Sequence, residues 1–382
     1  MSIKRSSTLV SIFIVYFSVH AFIRTTLGWS LSPQEIEIIE NAQRFAWLYD
    51  GQMPLYIWLQ SAVFNTFGPT LLSLTMMKNA LMLMICLSIY TLVQRVSNTT
   101  YALATTLSLV FIPQLIWTSQ HSLTTPVLAT LFAATTLLAF SRLSVEKSVP
   151  RYGILGAMIG FGAISTVTFL LVPVALLMAA ITSRSHRNIV FNSGFIAAIM
   201  VAGSIAGWPY YQLFLSGQIV VPDLANVNPL HWDIFVDRAR GMYSALQTAL
   251  TFSSLLIVGA AITVYSGLGR NIAVNEGTKA LRELMLRTVS FGLILIFGIA
   301  FLSGGVWMNQ STLQPLLFLV APVLALYLFP AMSTRTHRNA ITVGSVIALA
   351  VLIITPAHYT FGSQFSEPER YASSEPDYAT YR

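Results

Sequence analysis

The sequence predicts an all-α polytopic membrane protein, with about eleven transmembrane helices and two juxtamembrane amphipathic helices in its first periplasmic loop. Three observations carry this. Lys, Arg, Asp and Glu make up 9% of the 382 residues, against roughly 25% in an ordinary soluble domain. Apolar residues reach 55%, and mean hydropathy is +0.69. Uncharged runs cover 52–77, 96–141, 152–183, 188–222, 241–269, 288–334 and 339–366, each longer than the ~20 residues a helix needs to cross a bilayer. A water-facing fold has no place to hide so many. The net charge of +7 does not point to nucleic acid, because the basic residues sit in short loops between apolar runs, not in a dense patch with interleaved aromatics. The single cysteine, Cys86, lies inside an apolar run, which excludes a disulfide framework and Cys-ligated metal sites.

The elements follow in order. Lys4 and Arg5 precede an apolar stretch with no small-residue cleavage site after it, so 8–27 is expected as an uncleaved first span. In the loop 28–69, Ser32-Pro33-Gln34-Glu35 reads as a capping box with Pro at the first helical position. Ile38, Ile39, Ala42, Phe45, Ala46 and Tyr49 then make an apolar stripe, which predicts a surface helix over 33–48. Residues 54–67 are apolar but too short to span, and predict a second interfacial helix. The further spans are expected at 70–94, 99–117, 122–141, 151–165, 167–183, 188–214, 241–265, 286–304, 312–331 and 338–356. The pair 151–165 and 167–183 is short enough to form one bent hairpin. The polar residues 357–382 read as a flexible tail behind a transmembrane domain of 1–356.

Orientation follows from Lys and Arg in short loops. They cluster at Lys4/Arg5, Arg95, Arg142/Lys147/Arg151, Arg184/Arg187, Arg270/Lys279/Arg282/Arg287 and Arg335/Arg338. Eleven spans put all six groups on one side, the cytoplasmic one. This predicts a multi-pass protein with its N-terminus cytoplasmic and its C-terminus on the opposite side, which the resemblance described below implies is the periplasmic side of a bacterial inner membrane. Counting 54–67 as a span would move every later basic loop outside, which is why it is read as interfacial.

Acidic residues are the scarcest resource and mark where chemistry can occur. Of fourteen, Glu35, Glu37, Glu40 and Asp50 lie in the first periplasmic loop. Asp223, Asp233 and Asp237 lie in the loop 215–240, and four more lie in the tail. Only Glu146, Glu276 and Glu283 are cytoplasmic. Glu35 is a candidate general base, or merely the third residue of its capping box. Asp50 is a candidate binding residue, or an ordinary turn aspartate. His231-Trp232-Asp233 offers two metal-ligand types without a third, so no metal site is assigned. Lys78 is the only charged residue between Asp50 and Arg95. A cation that deep is costly and suggests contact with a lipid phosphate or a sugar carboxylate, the alternative being a side chain that snorkels to the interface. Gln120 and His121 cap the third loop on the same face. Tyr56, Trp58 and Trp47 suit an interfacial aromatic belt or a surface on which a sugar stacks.

Two stretches carry a family resemblance. Gly51-Gln52-Met53-Pro54-Leu55-Tyr56-Ile57-Trp58-Leu59-Gln60, followed by Phe67-Gly68, is similar to the QPPLYTWLQ stretch of GT-C membrane glycosyltransferases of the family 39 type. That family includes bacterial lipid A aminoarabinose and galacturonic acid transferases and protein O-mannosyltransferases. Ile112-Pro113-Gln114-Leu115-Ile116-Trp117-Thr118-Ser119-Gln120 resembles a second stretch, found in a bacterial subgroup, and Lys78-Asn79 matches a Lys-Asn pair there. The similarity covers roughly residues 5–330. It implies a GT-C-like fold, a polyprenyl-phosphate sugar donor, a lipid, glycan or protein acceptor, transfer at the periplasmic face, and a divalent cation such as Mg or Mn. It also implies that a loop carboxylate, here Glu35, deprotonates the acceptor hydroxyl while cations stabilise the departing lipid phosphate. Lys78, His121, Gln120, Asp50, Tyr56 and Trp58 would then line the donor site. The chain departs from the family at charged positions: the loop's acidic pair falls on Ser32-Pro33 or Pro33-Gln34, and a Lys-Tyr pair falls on Thr166-Val167. The alternative is therefore an inactive paralogue that binds lipid-linked substrate or partners an active enzyme. A transporter is disfavoured by the absence of internal repeats and of paired intramembrane charges in the sequence.

Overall fold

A computed structural model describes residues 2–27, 31, 33–49, 52–115, 125–217, 232–265, 274–303, 310–332 and 334–361. Among these, each predicted span overlaps at least one helix. In chain order the α-helices of eight or more residues are α1 (Ser2–Leu27), α2 (Pro33–Asn41), α3 (Leu55–Phe67), α4 (Leu71–Gln94), α5 (Thr99–Leu107), α6 (Thr125–Leu143) and α7 (Val149–Ala163). They continue with α8 (Leu171–Thr182), α9 (Gly194–Leu215), α10 (Trp232–Tyr265), α11 (Glu276–Ser303), α12 (Gln310–Leu317), α13 (Val320–Leu328) and α14 (Thr334–Phe361). No strand occurs among the described residues, and the one isolated bridge joins Tyr49 to Gln52.

Eight segments among the described residues are long and apolar enough to cross a membrane, against the eleven expected: Val10–Leu27, Leu71–Gln94, Thr125–Leu143, Gly194–Leu215, Arg238–Tyr265, Glu276–Leu302, Ser311–Ala331 and Thr336–Ile354. The other three expected spans are short helices. The span expected at 99–117 is α5 continued by a 3-10 turn over Ser108–Phe111. Ile112 is then extended, at φ −102° and ψ 102°, because Pro113 follows it and disfavours the helical region for its predecessor. The expected pair 151–165 and 167–183 is α7 and α8, separated by an extended Thr166 and a 3-10 turn over Val167–Leu170. The two part company: α7 packs on α9, and α8 packs on α11. Proline also divides the span expected at 312–331 into α12 and α13. Pro322 lacks the N–H that would bond the Phe318 carbonyl, and its ring crowds that carbonyl, so the helix breaks at 318–319.

Lipid solvates apolar side chains as well as a protein interior does, so close contact rather than water exclusion holds these helices together. The α7–α9 crossing shows how near they come. A Cβ placed on Gly156 would lie 2.3 Å from the Ala198 carbonyl oxygen, and one on Gly160 would lie 2.9 Å from the Ile205 Cβ. The largest apolar core runs through α1, α4, α6, α8, α11, α12 and α13, with α3 docked on α4 at one end.

The loop between α1 and α4 differs from its sequence reading in one respect. The helix expected over 33–48 stops at Asn41. Beyond it the chain turns back, because side chains take up backbone groups that a longer helix would have used. The Tyr49 hydroxyl accepts from the Ala46 N–H at 3.0 Å and donates to the Arg44 carbonyl at 2.8 Å. Trp58 Nε1 donates to the Ala46 carbonyl at 2.9 Å. The second juxtamembrane helix is as expected, α3 covering 55–67. At the other end, α14 runs to Phe361, past the expected boundary at 356.

Candidate functional site

Glu35 stands in the first turn of α2, where a carboxylate suits the positive end of the helix dipole. It is 2% exposed and lies between two cations. Arg24 Nη2, from the last turn of α1, donates to Glu35 Oε2 at 3.0 Å. Lys78 Nζ, from the second turn of α4, lies 3.5 Å from Glu35 Oε1. Thr70 fixes where α4 begins, its Oγ1 accepting from the Ser73 N–H at 3.2 Å, and so fixes the height of Lys78. Arg24 and Lys78 are themselves buried. The chain therefore brings a cation from each of two spans to a carboxylate of the loop between them, a pairing of separate elements that the sequence had no means of showing. Lys78 does not snorkel; it turns inward to a carboxylate.

Beside this cluster is a cavity of about 290 Å³. One wall is α2, through Gln34, Glu37 and Asn41. The start of α3 supplies Gln52, Met53, Tyr56 and Ile57. The opposite wall comes from the ends of three other helices, through Thr125, Ser165, Thr166 and Ser311. Two residues of separation on α2 turn Glu35 and Glu37 to different sides. Glu35 faces the cations, while Glu37 faces the cavity and accepts from Gln52 Nε2 at 2.8 Å. The Leu55 N–H donates to the Ile164 carbonyl at 3.2 Å, which ties the start of α3 to the end of α7.

Tyr56 links the two features. It is fully buried, lines the cavity, and sits close enough to Glu35 to feel its charge. Burial, with the Glu35 charge second, pushes its phenol well above the ordinary value, so it stays protonated and able to donate. Its hydroxyl has no hydrogen-bond partner among the described residues. The same holds for both amide atoms of Gln60, one turn further along α3. Buried polar atoms normally find partners, and of these two residues Tyr56 is the one that lines the cavity.

Trp58 faces away from the cavity and belongs to a separate aromatic cluster. Its ring stacks on Phe45 at 5.4 Å and meets Trp47 edge-on at 5.3 Å, and Trp47 reaches Trp208 on α9 at 6.2 Å. Of the residues singled out from sequence, Glu35, Lys78 and Tyr56 are thus brought together and Trp58 is not. Ser32, Asp50, Gln120, His121 and His231 lie outside the described residues. Sequence reasoning missed Arg24 and the cavity-facing role of Glu37. The signal for Arg24 was its position, a cation on the acidic end of the first span. Among the described residues no three of His, Cys, Asp and Glu come together as a metal ion would require.

Comparison with known proteins finds relatives in both sequence and fold. Residues 52–208 match the family described as dolichyl-phosphate-mannose-protein mannosyltransferase. The chain is homologous to two proteins of Rhizobium johnstonii. It is 28% identical over 356 residues to the lipopolysaccharide core galacturonosyltransferase RgtB, covering 90% of this chain and 70% of the relative. It is 29% identical over 332 residues to the lipopolysaccharide core galacturonosyltransferase RgtA, covering 84% of this chain and 64% of the relative. The chain thus spans about two thirds of the length of these relatives. The fold is that of ArnT from Cupriavidus metallidurans. Against its apo structure the TM-score is 0.65 at 12% identity, over 94% of this chain and 78% of that one. Against its undecaprenyl phosphate complex the TM-score is 0.59 at 13% identity, over 92% and 65%.

Proposed function

We propose that this multi-pass membrane protein is a glycosyltransferase that moves a sugar from a polyprenyl-phosphate donor to a lipid or glycan acceptor, at the periplasmic face of a bacterial inner membrane. The observation that carries the reading is the buried Arg24–Glu35–Lys78 cluster set beside a polar cavity, in a chain otherwise nearly free of intramembrane charge. The names of the relatives and the ArnT-like fold support the same class of reaction. The donor's phosphate draws Arg24 and Lys78 toward itself, which neutralises the leaving group and releases Glu35. Glu35 then accepts the proton of the acceptor hydroxyl. The acceptor oxygen bonds to the anomeric carbon as the bond from that carbon to the phosphate oxygen breaks, and the lipid phosphate departs with the electron pair. Tyr56 donates to the bound sugar or phosphate. Asp50, Gln120 and His121 are assigned to the donor site from the sequence, where a divalent cation would supply further positive charge beside the phosphate, and Trp58 with its aromatic neighbours is assigned to guiding the acceptor.

The test uses the full-length protein in proteoliposomes with a radiolabelled undecaprenyl-phosphate sugar and a lipopolysaccharide core acceptor. Transfer by the native chain, lost in Glu35→Gln and reduced at least about tenfold in Tyr56→Phe, is the expected result. Undiminished transfer by a folded Glu35→Gln chain overturns the assignment of the base. A second reading has one observation in its favour: Glu35 is held by two cations and does not open on the cavity. A protein that binds the lipid-linked donor without turning it over would keep those ion pairs. Tight donor binding by the native chain with no transfer to any acceptor would establish that reading.

A further inference from the structure

We propose that Arg95, Arg142 and Arg151 form a binding site for the phosphate headgroup of an anionic phospholipid, at the far end of α4 from the Glu35 cluster. Arg95 caps the carboxyl end of α4, Arg142 stands in the last turn of α6, and Arg151 stands in the first turn of α7. α6 packs on both α4 and α7, which brings the three helix ends together. Arg95 follows Lys78 by 17 residues, which places it about 25 Å further along α4. The site is therefore independent of the transferase reading.

Arg151 is already engaged. Its Nη1 donates to the Arg142 carbonyl at 3.3 Å and to the Glu146 carbonyl at 3.4 Å, and its Nη2 pairs with the Glu146 carboxylate. These bonds fold the link between α6 and α7 over the end of α6. The side chains of Arg95 and Arg142 make no ion pair or hydrogen bond among the described residues, and the Arg142 Nε is buried. Desolvation, and after it the charges of Arg142 and Arg151, lower the pKa of Arg95 from its ordinary value, so the guanidiniums lie within one another's fields. Orienting a helix requires cations on one side of the membrane, not cations crowded together. Crowded guanidiniums keep their charge and repel. A phosphate that accepts from two of them relieves that repulsion. A basic cluster between helix ends at a bilayer surface suits a lipid headgroup. Val145 and Val149, in the same link, are exposed at 78% and 65%. Apolar side chains beside cations match the boundary between headgroups and acyl chains, which favours a lipid over a free phosphate ion.

The experiment measures lipid binding to the purified full-length protein by native mass spectrometry, with phosphatidylglycerol and phosphatidylcholine of the same acyl chains. Phosphatidylglycerol is expected to bind at least about tenfold tighter. Replacing both Arg95→Gln and Arg142→Gln is expected to narrow that preference at least about fivefold, while Arg95→Lys with Arg142→Lys keeps most of it. Glu146→Gln removes the offsetting charge and is expected to tighten phosphatidylglycerol binding at least about twofold, a gain that a misfolded chain would not show. Equal affinity for the two lipids overturns the inference. So does a preference unchanged in the folded double Gln variant, or the absence of a gain in Glu146→Gln. Inorganic phosphate that abolishes the preference, beyond a chloride control of equal ionic strength, shows that the site takes a free anion and overturns the choice of a lipid.

Discussion

Replacing Glu35 with Gln and Lys78 with Met, singly and together, tests whether the buried charges act as one unit. At the observed 3.5 Å, and with an effective dielectric of about 20, the Lys78–Glu35 attraction is about 5 kcal/mol. The Arg24–Glu35 pair at 3.0 Å is slightly stronger on the same scale. Desolvation of three charges consumes much of this, so the net worth of the cluster is far smaller than the sum. Removing the shared partner is a different matter, because it takes from two buried cations the carboxylate they have in common. Glu35→Gln is therefore expected to destabilise the protein by about 3–5 kcal/mol. Lys78→Met removes one cation and leaves the other paired, and is expected to cost about 1–2 kcal/mol. In the double variant only Arg24 loses its carboxylate, so the cost should fall at least about 1 kcal/mol short of the sum of the singles. Reversible unfolding of the detergent-solubilised protein measures all four corners of this cycle. Additivity within about 0.5 kcal/mol would show that the two groups do not interact, and the argument from a charge cluster would fail.

Three further outcomes are expected. Tyr56→Phe should change unfolding stability by less than about 0.5 kcal/mol, because the hydroxyl it removes has no partner among the described residues, while donor binding weakens measurably; a large stability loss would mean the hydroxyl is bonded within the protein. Gly156→Val should cost about 1–3 kcal/mol or more by forcing α7 away from the Ala198 backbone, read as a lower melting temperature in detergent. His186, whose Nδ1 lies 3.1 Å from Ser183 Oγ beside α11, is held below its ordinary value mainly by burial, with Glu283 opposing and Arg287 adding. The unfolded chain then binds a proton that the folded chain declines, so stability is full above about pH 6.5 and falls as pH drops below it; His186→Gln should flatten that loss in melting curves taken from about pH 7.5 to about pH 5.5.

Much of the fold was legible because a bilayer imposes one requirement on long stretches of chain. The runs around Leu71–Gln94, Thr125–Leu143 and Gly194–Leu215 state their length and composition directly. The demotion of 54–67 to a surface helix followed from counting basic loops, a global constraint that needs no local detail. Breaks inside apolar runs were harder. Pro322 acts four residues upstream of itself, at Phe318, and Pro113 acts through the extended Ile112. The end of α2 at Asn41 depends on Tyr49 and Trp58 taking the Arg44 and Ala46 backbone groups, which no helical periodicity encodes. The site was legible only as a list. Scarcity of charge singled out Glu35 and Lys78, yet 43 residues separate them, and nothing in their spacing says that they meet. Glu37 was invisible as a cavity residue because its neighbours there, Thr166 and Ser311, arrive from distant helices.

All three members of the ion cluster are synthesised within the first 78 residues, on the first two membrane-crossing helices and the loop that joins them. Each of those helices brings one cation of the cluster, and α2 between them brings Glu35. The cluster can therefore close while the rest of the chain is still emerging from the ribosome, and closing it relieves the least favourable burial in the molecule early. The ion cluster is thus a feature of the amino-terminal hairpin alone, and its charges need no later helix in order to meet.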